Sequence, residues 1–451
     1  MGGIMDFTAI KDVLVNEAQA QNIEQYEIYC RRNKDVTVET LKDEISSFAS
    51  SDISGVCFRC IENKQMGYAS GELFDETALR SLVFRAKENA RNIECDEEPF
   101  IFKGSESYEK SKLTPFISTD AKTLREAALD IQKNMYEQND KVTDGTQSYA
   151  MTYETEIYIC NSNGLELTNH VGINGAYASA VVCNGDESAY GLKFKQGVKK
   201  EDFSDIAEIA VTEAIEKLGA DEVKTGKYNV IFDGKQMQSI LSAFSSAFSS
   251  KNAQMGLSLL KNKENTKIAS DCVSIIDDPF YPECPMQTHF DAEGVATYKK
   301  DIIRNGELKT LLYNLSSAKK VGKQTTANAN KGSYAGTVSI SPYCMTIEPG
   351  KYSFEQLMEL AGNGILITEV KGLHAGANSV TGDFSIESAG FLIENGKKAK
   401  PIKSFTVAGN FYSLLLNIAA LSDKIELGIP GGFTVFGSPA VLLRDMSIAG
   451  K

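Results

Sequence analysis

Apolar and polar positions along the chain change period several times, and the changes outline the elements. Phe7, Ile10, Val13 and Leu14, followed by Ala18, fall at helical spacing, so residues 6–22 predict an amphipathic helix. Alternation then takes over in YEIYCRR from Tyr26, VTVETLKDE from Val36 and GVCFRCIENKQMGYAS from Gly55. The last reads as a hairpin about Glu62-Asn63-Lys64. Asp75 heads a helix over 75–92, and 120–139 predicts a second. The Pro/Ser/Glu-rich run 96–115 predicts a loop. Strands are expected at 148–159 and 176–183, with a turn at Asn161-Ser162-Asn163-Gly164, and a further helix at 204–218.

Residues 219–226 form a short polar connector, and the expected domain boundary falls there: 1–220, then 221–451. YNVIF at 228–232 predicts a strand. A helix is expected over 235–248, with Met237, Ile240, Leu241, Phe244 and Phe248 on one face and serines on or beside the other. Beyond it short strands and glycine turns dominate. Asn305-Gly306 and Asn395-Gly396 carry the signature of type I′ hairpins. Helices are expected at 311–321, 354–361 and 410–421. Helices and strands are segregated rather than strictly alternating, so the expected class is α+β: an N-terminal mixed domain followed by a strand-rich C-terminal one. No glycine fingerprint sits in a strand–turn–helix context, so nothing recommends a nucleotide site.

Composition narrows the functional classes. The formal net charge is −13 and lysines cluster only in isolated pairs, which disfavours direct nucleic-acid binding. No apolar run approaches the roughly 20 residues of a membrane span, and the N-terminal stretch has no apolar core of signal-peptide type. A cytoplasmic, soluble protein is expected. Nine scattered cysteines fit reduced thiols.

Candidate chemistry is sparse. Cys57 and Cys60 share a CxxC spacing, but on a strand they point to opposite faces. Ser316 to Lys319 matches SxxK without its companion motifs, and reads as a helix surface. Asp291 and Glu293, as alternate strand positions, would share a face as paired carboxylates, with turn hydrogen bonding as the other reading. Asp383 in GDFS reads as a cap or a cleft residue. His374 lies among glycines, which would let the backbone approach a groove or partner and the ring donate to a peptide carbonyl; the other reading is a loop histidine with no ligand role. The three histidines, His170, His289 and His374, are too far apart in sequence to share a helical turn, so neither HExxH nor HExxxH can be written.

An ordered set of segments resembles the TldD/PmbA family: IIDDP at 275–279, FDAEGVAT at 290–297, IIRNGELKTLLYNLSSAKKVG at 302–322, GDFSIESAGFLIENG at 382–396 and FGSPAVLLRDMSIAG at 436–450, with GVCFRCIENKQMGYAS in the first half. The resemblance implies the family's α+β fold and dimers around a shared chamber. In that family TldD-type chains carry HExxxH and a late cysteine as zinc peptidases, and PmbA (TldE)-type chains lack the ligands and pair with them. By register, Ser242 and Ala247 stand where TldD-type chains carry histidine, and Ala243 where they carry glutamate. The last cysteine here is Cys344. The resemblance therefore implies a PmbA-type subunit with no metal or cofactor of its own, non-catalytic by itself. Zinc is expected in a TldD-type partner, and an extended or unfolded peptide is expected in a cleft lined by Asp291, Glu293, Thr326, Asn328, His374, Asp383 and Ser385. The pairing is with a TldD-type paralogue or with a second copy of the chain. The alternative is a stand-alone homodimer that modulates another protein, such as DNA gyrase or a toxin–antitoxin system. Ala327 stands where the family often has glycine, and it would be strained if that position needs a positive φ.

Overall fold

The structure is a computed structural model that describes residues 7–93 and 98–451. The predicted start of the first helix at residue 6, and residues 96 and 97 of the predicted loop, lie outside the described residues. Helix α1 (Phe7–Ala20) precedes three strands, β1 (Gln25–Leu41), β2 (Glu44–Glu62) and β3 (Gln65–Gly71). Helices α2 (Glu76–Asn92) and α3 (Ala121–Gln138) follow, then β4 (Gln147–Asn161), β5 (Glu166–Asn184), β6 (Glu187–Gln196) and α4 (Ile206–Glu216). Asp75 and Asp120 cap α2 and α3 by accepting amides of their first turns.

The six strands form one antiparallel sheet in the order β3-β2-β1-β4-β5-β6. Side-chain parity sorts its two faces. Ile28, Cys30, Phe58, Cys60, Tyr158 and Cys160 pack under α1 and α2, and Val38, Ala150, Ala176 and Ala178 pack under α3 and α4. Tyr29, Cys57, Ile157 and Ile159 point the other way, against Cys284, Met286, Phe290, Tyr343 and Phe433 of the second half. Cys57 and Cys60 thus serve opposite faces, as strand alternation requires, and the second half of the chain covers the face that the helices leave open.

In the second half come β7 (Gly226–Phe232), α5 (Gly234–Phe244), α6 (Ser250–Gln254), β8 (Ile275–Asp277), β9 (Lys300–Arg304), β10 (Glu307–Leu308), α7 (Leu315–Lys320), β11 (Ala329–Asn330), β12 (Ser339–Ile340) and β13 (Cys344–Ile347). Then come α8 (Phe354–Ala361), β14 (Gly364–Lys371), α9 (Leu373–Gly376), β15 (Asp383–Glu394), β16 (Lys397–Asn410), α10 (Phe411–Leu416), β17 (Ile418–Leu421), β18 (Glu426–Leu427), β19 (Val435–Ser438) and β20 (Val441–Ala449). One sheet runs β10-β9-β8-β13-β19-β18, and another β16-β15-β14-β7-β20-β17. In the latter β16 also pairs with β20, so it closes on itself around Val230, Phe232, Ile365, Ile367, Ile386 and Val407. Asn305-Gly306 and Asn395-Gly396 have positive φ at both residues, as type I′ turns demand.

Several predicted elements change. The segments from Tyr26 and Val36 are one strand, β1, and 187–196 is a strand that the pattern did not predict. The helix expected over 410–421 stops at Leu416, and 418–421 is a strand. The one expected over 311–321 is confined to 315–320.

Candidate functional site

Helix α5 forms where Met237, Ile240, Leu241 and Phe244 bury one face. Asp233 caps it by accepting the Gln236 amide at 2.7 Å. The helix ends at Phe244, short of the predicted Phe248, and tightens into a 3-10 turn over Ser245–Phe248. Ser245 Oγ donates to the Ser242 carbonyl at 2.8 Å, the competition by which serine loosens a helix. Ser242 and Ala243 remain half-buried on the last helical turn. Ala247 lies in the 3-10 turn and is fully buried in the core. These three positions offer a hydroxyl and two methyl groups, a donor set that does not fit zinc, whose ligands are thiolate, imidazole and carboxylate. His170 is on β5, His289 in the loop before Phe290, and His374 on α9. Among the described residues, no three His, Cys, Asp or Glu side chains converge as a metal site.

Asp233 carries a pH signature. Burial pushes its carboxyl up to about 7, against the pull of the Gln236 amide. Between the ordinary aspartate value and that one, the folded state holds more protons than the unfolded, so stability falls as pH rises. Asp233→Asn keeps a good cap and removes the titration. The variant is expected to gain about 2–3 kcal/mol relative to the parent between pH 5 and pH 8, measured by urea unfolding at both pH values.

Four of the seven expected cleft residues come together in one buried polar cluster. Asp277, fully buried at the end of β8, stands opposite Lys300 in the antiparallel register of β8 and β9. Its Oδ2 meets Lys300 Nζ at 3.3 Å and accepts Asn328 Nδ2 at 2.8 Å, and its Oδ1 accepts the Tyr343 amide at 2.7 Å. Asn328 Oδ1 accepts Lys300 Nζ at 3.2 Å and Thr326 Oγ1 at 2.8 Å. Burial lowers the Lys300 ammonium and Asp277 raises it. Between Thr326 and Asn328, Ala327 is held at φ +56°, fully buried, a left-handed conformation that costs an alanine about 1–2 kcal/mol.

Asp291 and Glu293 are not alternate positions of a strand; they occupy a turn. Asp291 accepts the amides of Glu293, Val295 and Ala329 at 2.9, 3.0 and 3.1 Å. Glu293 Oε2 accepts the Leu315 amide at 2.8 Å. Burial pushes both carboxyls up, Asp291 further through its charged neighbour Glu293, while the amides pull both down. Each lone pair so engaged braces a loop; both carboxyls are buried, and Asp291 borders a small cavity with Tyr29, Lys331 and Tyr343 where the two halves meet. Ser317, expected on a helix surface, is buried: Asn314 caps α7 by accepting the Ser317 amide, and Ser317 Oγ accepts the Asn314 amide at 3.1 Å and Ser250 Oγ at 2.9 Å.

His374, Asp383 and Ser385 lie apart from this cluster. All three are exposed, on α9 and the start of β15, where Asp383 and Ser385 border a shallow depression of about 540 Å³. Asp383 accepts Asn410 Nδ2 at 2.9 Å, and Phe384 packs against Phe244 of α5.

Sequence reasoning missed three features. Asp277 and Lys300 carried a signal, a charge within each apolar run IIDDP and KDIIR. Lys331 is buried where the halves meet, its Nζ 4.4 Å over the Tyr29 ring beside the Cys57 thiol. Arg31 reaches across the same boundary to the Lys331 carbonyl at 2.8 Å. The third feature is a groove of about 1020 Å³ along β6, bounded by residues 113–117, 282–285 and 427–428.

Three successive family domains match the chain: PmbA/TldA metallopeptidase domain 1 over residues 26–90, the central domain over 114–218 and the C-terminal domain over 225–450. A metalloprotease PmbA homologue of Haemophilus influenzae is 26% identical over 413 residues, 86% of this chain and 84% of that protein. A metalloprotease of Methanocaldococcus jannaschii is 26% identical over 403 residues, 86% and 88% of the two chains. Among solved structures, a Thermotoga maritima protein named for modulation of a DNA gyrase superposes with a TM-score of 0.89 at 25% identity, covering 98% of this chain and all of that one. TldE from Thermococcus kodakarensis superposes with a TM-score of 0.88 at 23% identity, over 98% and 100% of the two chains.

Proposed function

The chain belongs to the PmbA/TldD metallopeptidase family, and from that premise we propose that it is the PmbA (TldE)-type subunit of a two-component peptidase. It contributes the peptide-holding wall of a shared chamber and leaves hydrolysis to zinc on a TldD-type partner. The observation that carries this reading is α5, which keeps its cap and its buried apolar face while Ser242, Ala243 and Ala247 supply neither ligand nor base. The buried cluster around Asp277 supports it further, because its carboxylates hold loops in place and present no open acid–base pair. No helix among the described residues is long and apolar enough to cross a membrane, so nothing in the helices ties this chain to a bilayer.

The test is reconstitution. The purified chain alone is expected to leave denatured casein intact. Mixed with a relative that carries HExxxH, it is expected to form a stable complex whose hydrolysis of casein is abolished by a chelator. Chelator-sensitive hydrolysis by the single chain would overturn the proposal. Recovery only as a homodimer, indifferent to such a relative, would favour the stand-alone binding protein instead.

A further inference from the structure

Two thiols meet where the second half covers the first-half sheet, and the backbone puts them there. Cys344 opens β13, and its carbonyl accepts the Asp278 amide at 3.0 Å. From Asp278 the chain returns through two successive turns. The Asp278 carbonyl accepts the Tyr281 amide at 3.2 Å, and the Tyr281 carbonyl accepts the Cys284 amide at 2.9 Å. The loop so folded brings Cys284 back against Cys344. Their side chains hydrogen-bond, the Cys344 thiol donating to the Cys284 sulfur. Both pack in one apolar cluster with Met286, Phe290 and Tyr343.

The loop is held in that shape. Pro282 and Pro285 bracket Cys284 in sequence, and each fixes its own φ. Gln287 closes the far side: its Nε2 donates to the Tyr281 carbonyl at 3.0 Å, and its Oε1 accepts Ser111 Oγ at 2.7 Å. The two sulfurs therefore stay together without a bond between them.

Their surroundings differ. Cys284 borders the groove of about 1020 Å³, together with Lys193, Lys195 and Asn174. Cys344 is fully buried behind it. Burial in apolar surroundings ordinarily makes a thiol inert, and it pushes Cys30, Cys57, Cys60 and Cys160 up. Cys284 departs from that pattern. The hydrogen bond from Cys344 holds it below the ordinary thiol value against its own burial; the Met286 amide adds to the pull, and the charges of Asp277 and Asp278 oppose it. The same bond, with burial, pushes Cys344 up. One sulfur is thus favoured as thiolate, at the groove, and its neighbour keeps the proton. Redox-responsive cysteines have this arrangement, an accessible thiolate poised beside a resolving thiol.

We propose that Cys284 and Cys344 form a reversible dithiol–disulfide site, with Cys284 as the attacking sulfur, Cys344 as the resolving one, and hydrogen peroxide entering from the groove as the oxidant. The Cys284 thiolate attacks one peroxide oxygen. An S–O bond forms, the O–O bond breaks, and the departing hydroxide takes up a proton as water. Cys344 then attacks the sulfenic sulfur of Cys284. The S–S bond forms as the S–O bond breaks, and the hydroxyl leaves with the Cys344 proton as a second water. Two thiols and one peroxide give one disulfide and two waters, with two electrons passing from sulfur to oxygen. A dithiol reductant reverses the step by thiol–disulfide exchange. The bridge ties the 282–285 wall of the groove to β13, so the oxidation state sets how freely that wall moves. The chemistry needs no partner chain, and it stands or falls apart from the two-component reading.

The test is a thiol map of the purified chain. The reduced chain is freed of reductant, treated with stoichiometric hydrogen peroxide, and alkylated in urea. Peptide mass spectrometry without reductant is expected to show Cys284 joined to Cys344 with the loss of two hydrogens. Dithiothreitol should restore both thiols. Cys272 is exposed and reports ordinary surface oxidation in the same sample. Cys344→Ser keeps a hydrogen-bond donor beside Cys284 and removes the resolving sulfur. It is expected to stop the sequence at the Cys284 sulfenic acid, trapped as a dimedone adduct. Cys284→Ser should leave Cys344 reduced. The oxidised parent should also melt at a higher temperature than the reduced one, since a cross-link restricts the unfolded chain. Thermal melts of both variants check that they fold, and if either does not, the map of the parent chain decides alone. Oxidation confined to Cys272, with Cys284 and Cys344 both alkylated, would overturn the proposal. So would a folded Cys344→Ser chain with no adduct at Cys284.

Discussion

Asp277→Ala is expected to cost about 3–5 kcal/mol of unfolding free energy, read as a lower urea midpoint with an unchanged slope. The side chain is fully buried and accepts from Lys300, Asn328 and the Tyr343 amide. Its removal strands a buried ammonium and two donors, and a buried group left unsatisfied costs more than the lost bond itself was worth. Burial already holds the Lys300 amine below its ordinary value, and Asp277 is the largest influence opposing that. Without the carboxylate the folded state should release the proton more readily. The unfolded state then binds more protons in the window below the ordinary lysine value, so the variant should regain stability as pH rises through it. Lys300→Met in the same background should recover part of the loss, because it removes the unpaired charge. A loss under 1 kcal/mol for Asp277→Ala would show that the cluster is not holding the loops together.

Ala247→His is the second large effect. Ala247 is fully buried among the residues that close the core behind α5. An imidazole there both overfills a packed region and brings a polar group without a partner, so a loss of about 3 kcal/mol is expected. Installing Ser242→His, Ala243→Glu and Ala247→His together should not recreate a zinc site. The first two positions lie half-buried on the final helical turn and the third is fully buried on a 3-10 turn, so an imidazole at 247 would have to displace core side chains before it could share an ion with one at 242. Metal analysis after dialysis, beside a thermal melt, checks both statements. Stoichiometric zinc in a variant as stable as the parent would refute them.

Local signals carried much of the architecture. Asp75 and Asp120 announced their helices because an aspartate before an apolar period caps amides wherever it occurs. Asn305-Gly306 and Asn395-Gly396 announced hairpins because few other pairs accept positive φ twice. Of the residues that the resemblance grouped as a cleft, Asp291 and Glu293 lie within FDAEGVAT and Thr326 and Asn328 just beyond Gly322, and the fold brings these four together. What failed were features settled by distant partners. Asn33-Lys34-Asp35 looked like a break in β1, yet Asn33 Oδ1 accepts from Arg31 and Thr155 at 3.0 and 2.8 Å, so polar residues continue the strand between two neighbours. The strand at 187–196 went unpredicted, and its Gly191 answers to a distant partner, α4: a side chain there would lie 2.1 Å from the Ala210 carbonyl. Asp277 and Lys300 each showed as a charge beside an apolar run, but their pairing did not, because only the register of β8 against β9 sets the two charges face to face. His374, Asp383 and Ser385 were grouped with the cluster by motif alone, and the fold puts them on another surface.

The closure of the last sheet has a consequence for how the polypeptide is made. Strand β7 lies between β14 and β20, pairing Val230 with Ile365 on one side and with Leu443 on the other. Its second neighbour is encoded roughly 215 residues later, which at about 5–20 residues per second is roughly 10–45 s of translation. During that interval the nascent second half carries a central strand with one bare flank, while the first-half sheet, complete by residue 196, can already be folded outside the ribosome. Nascent chains stalled between these points should bind holdase chaperones, and release of the final strand should end that dependence.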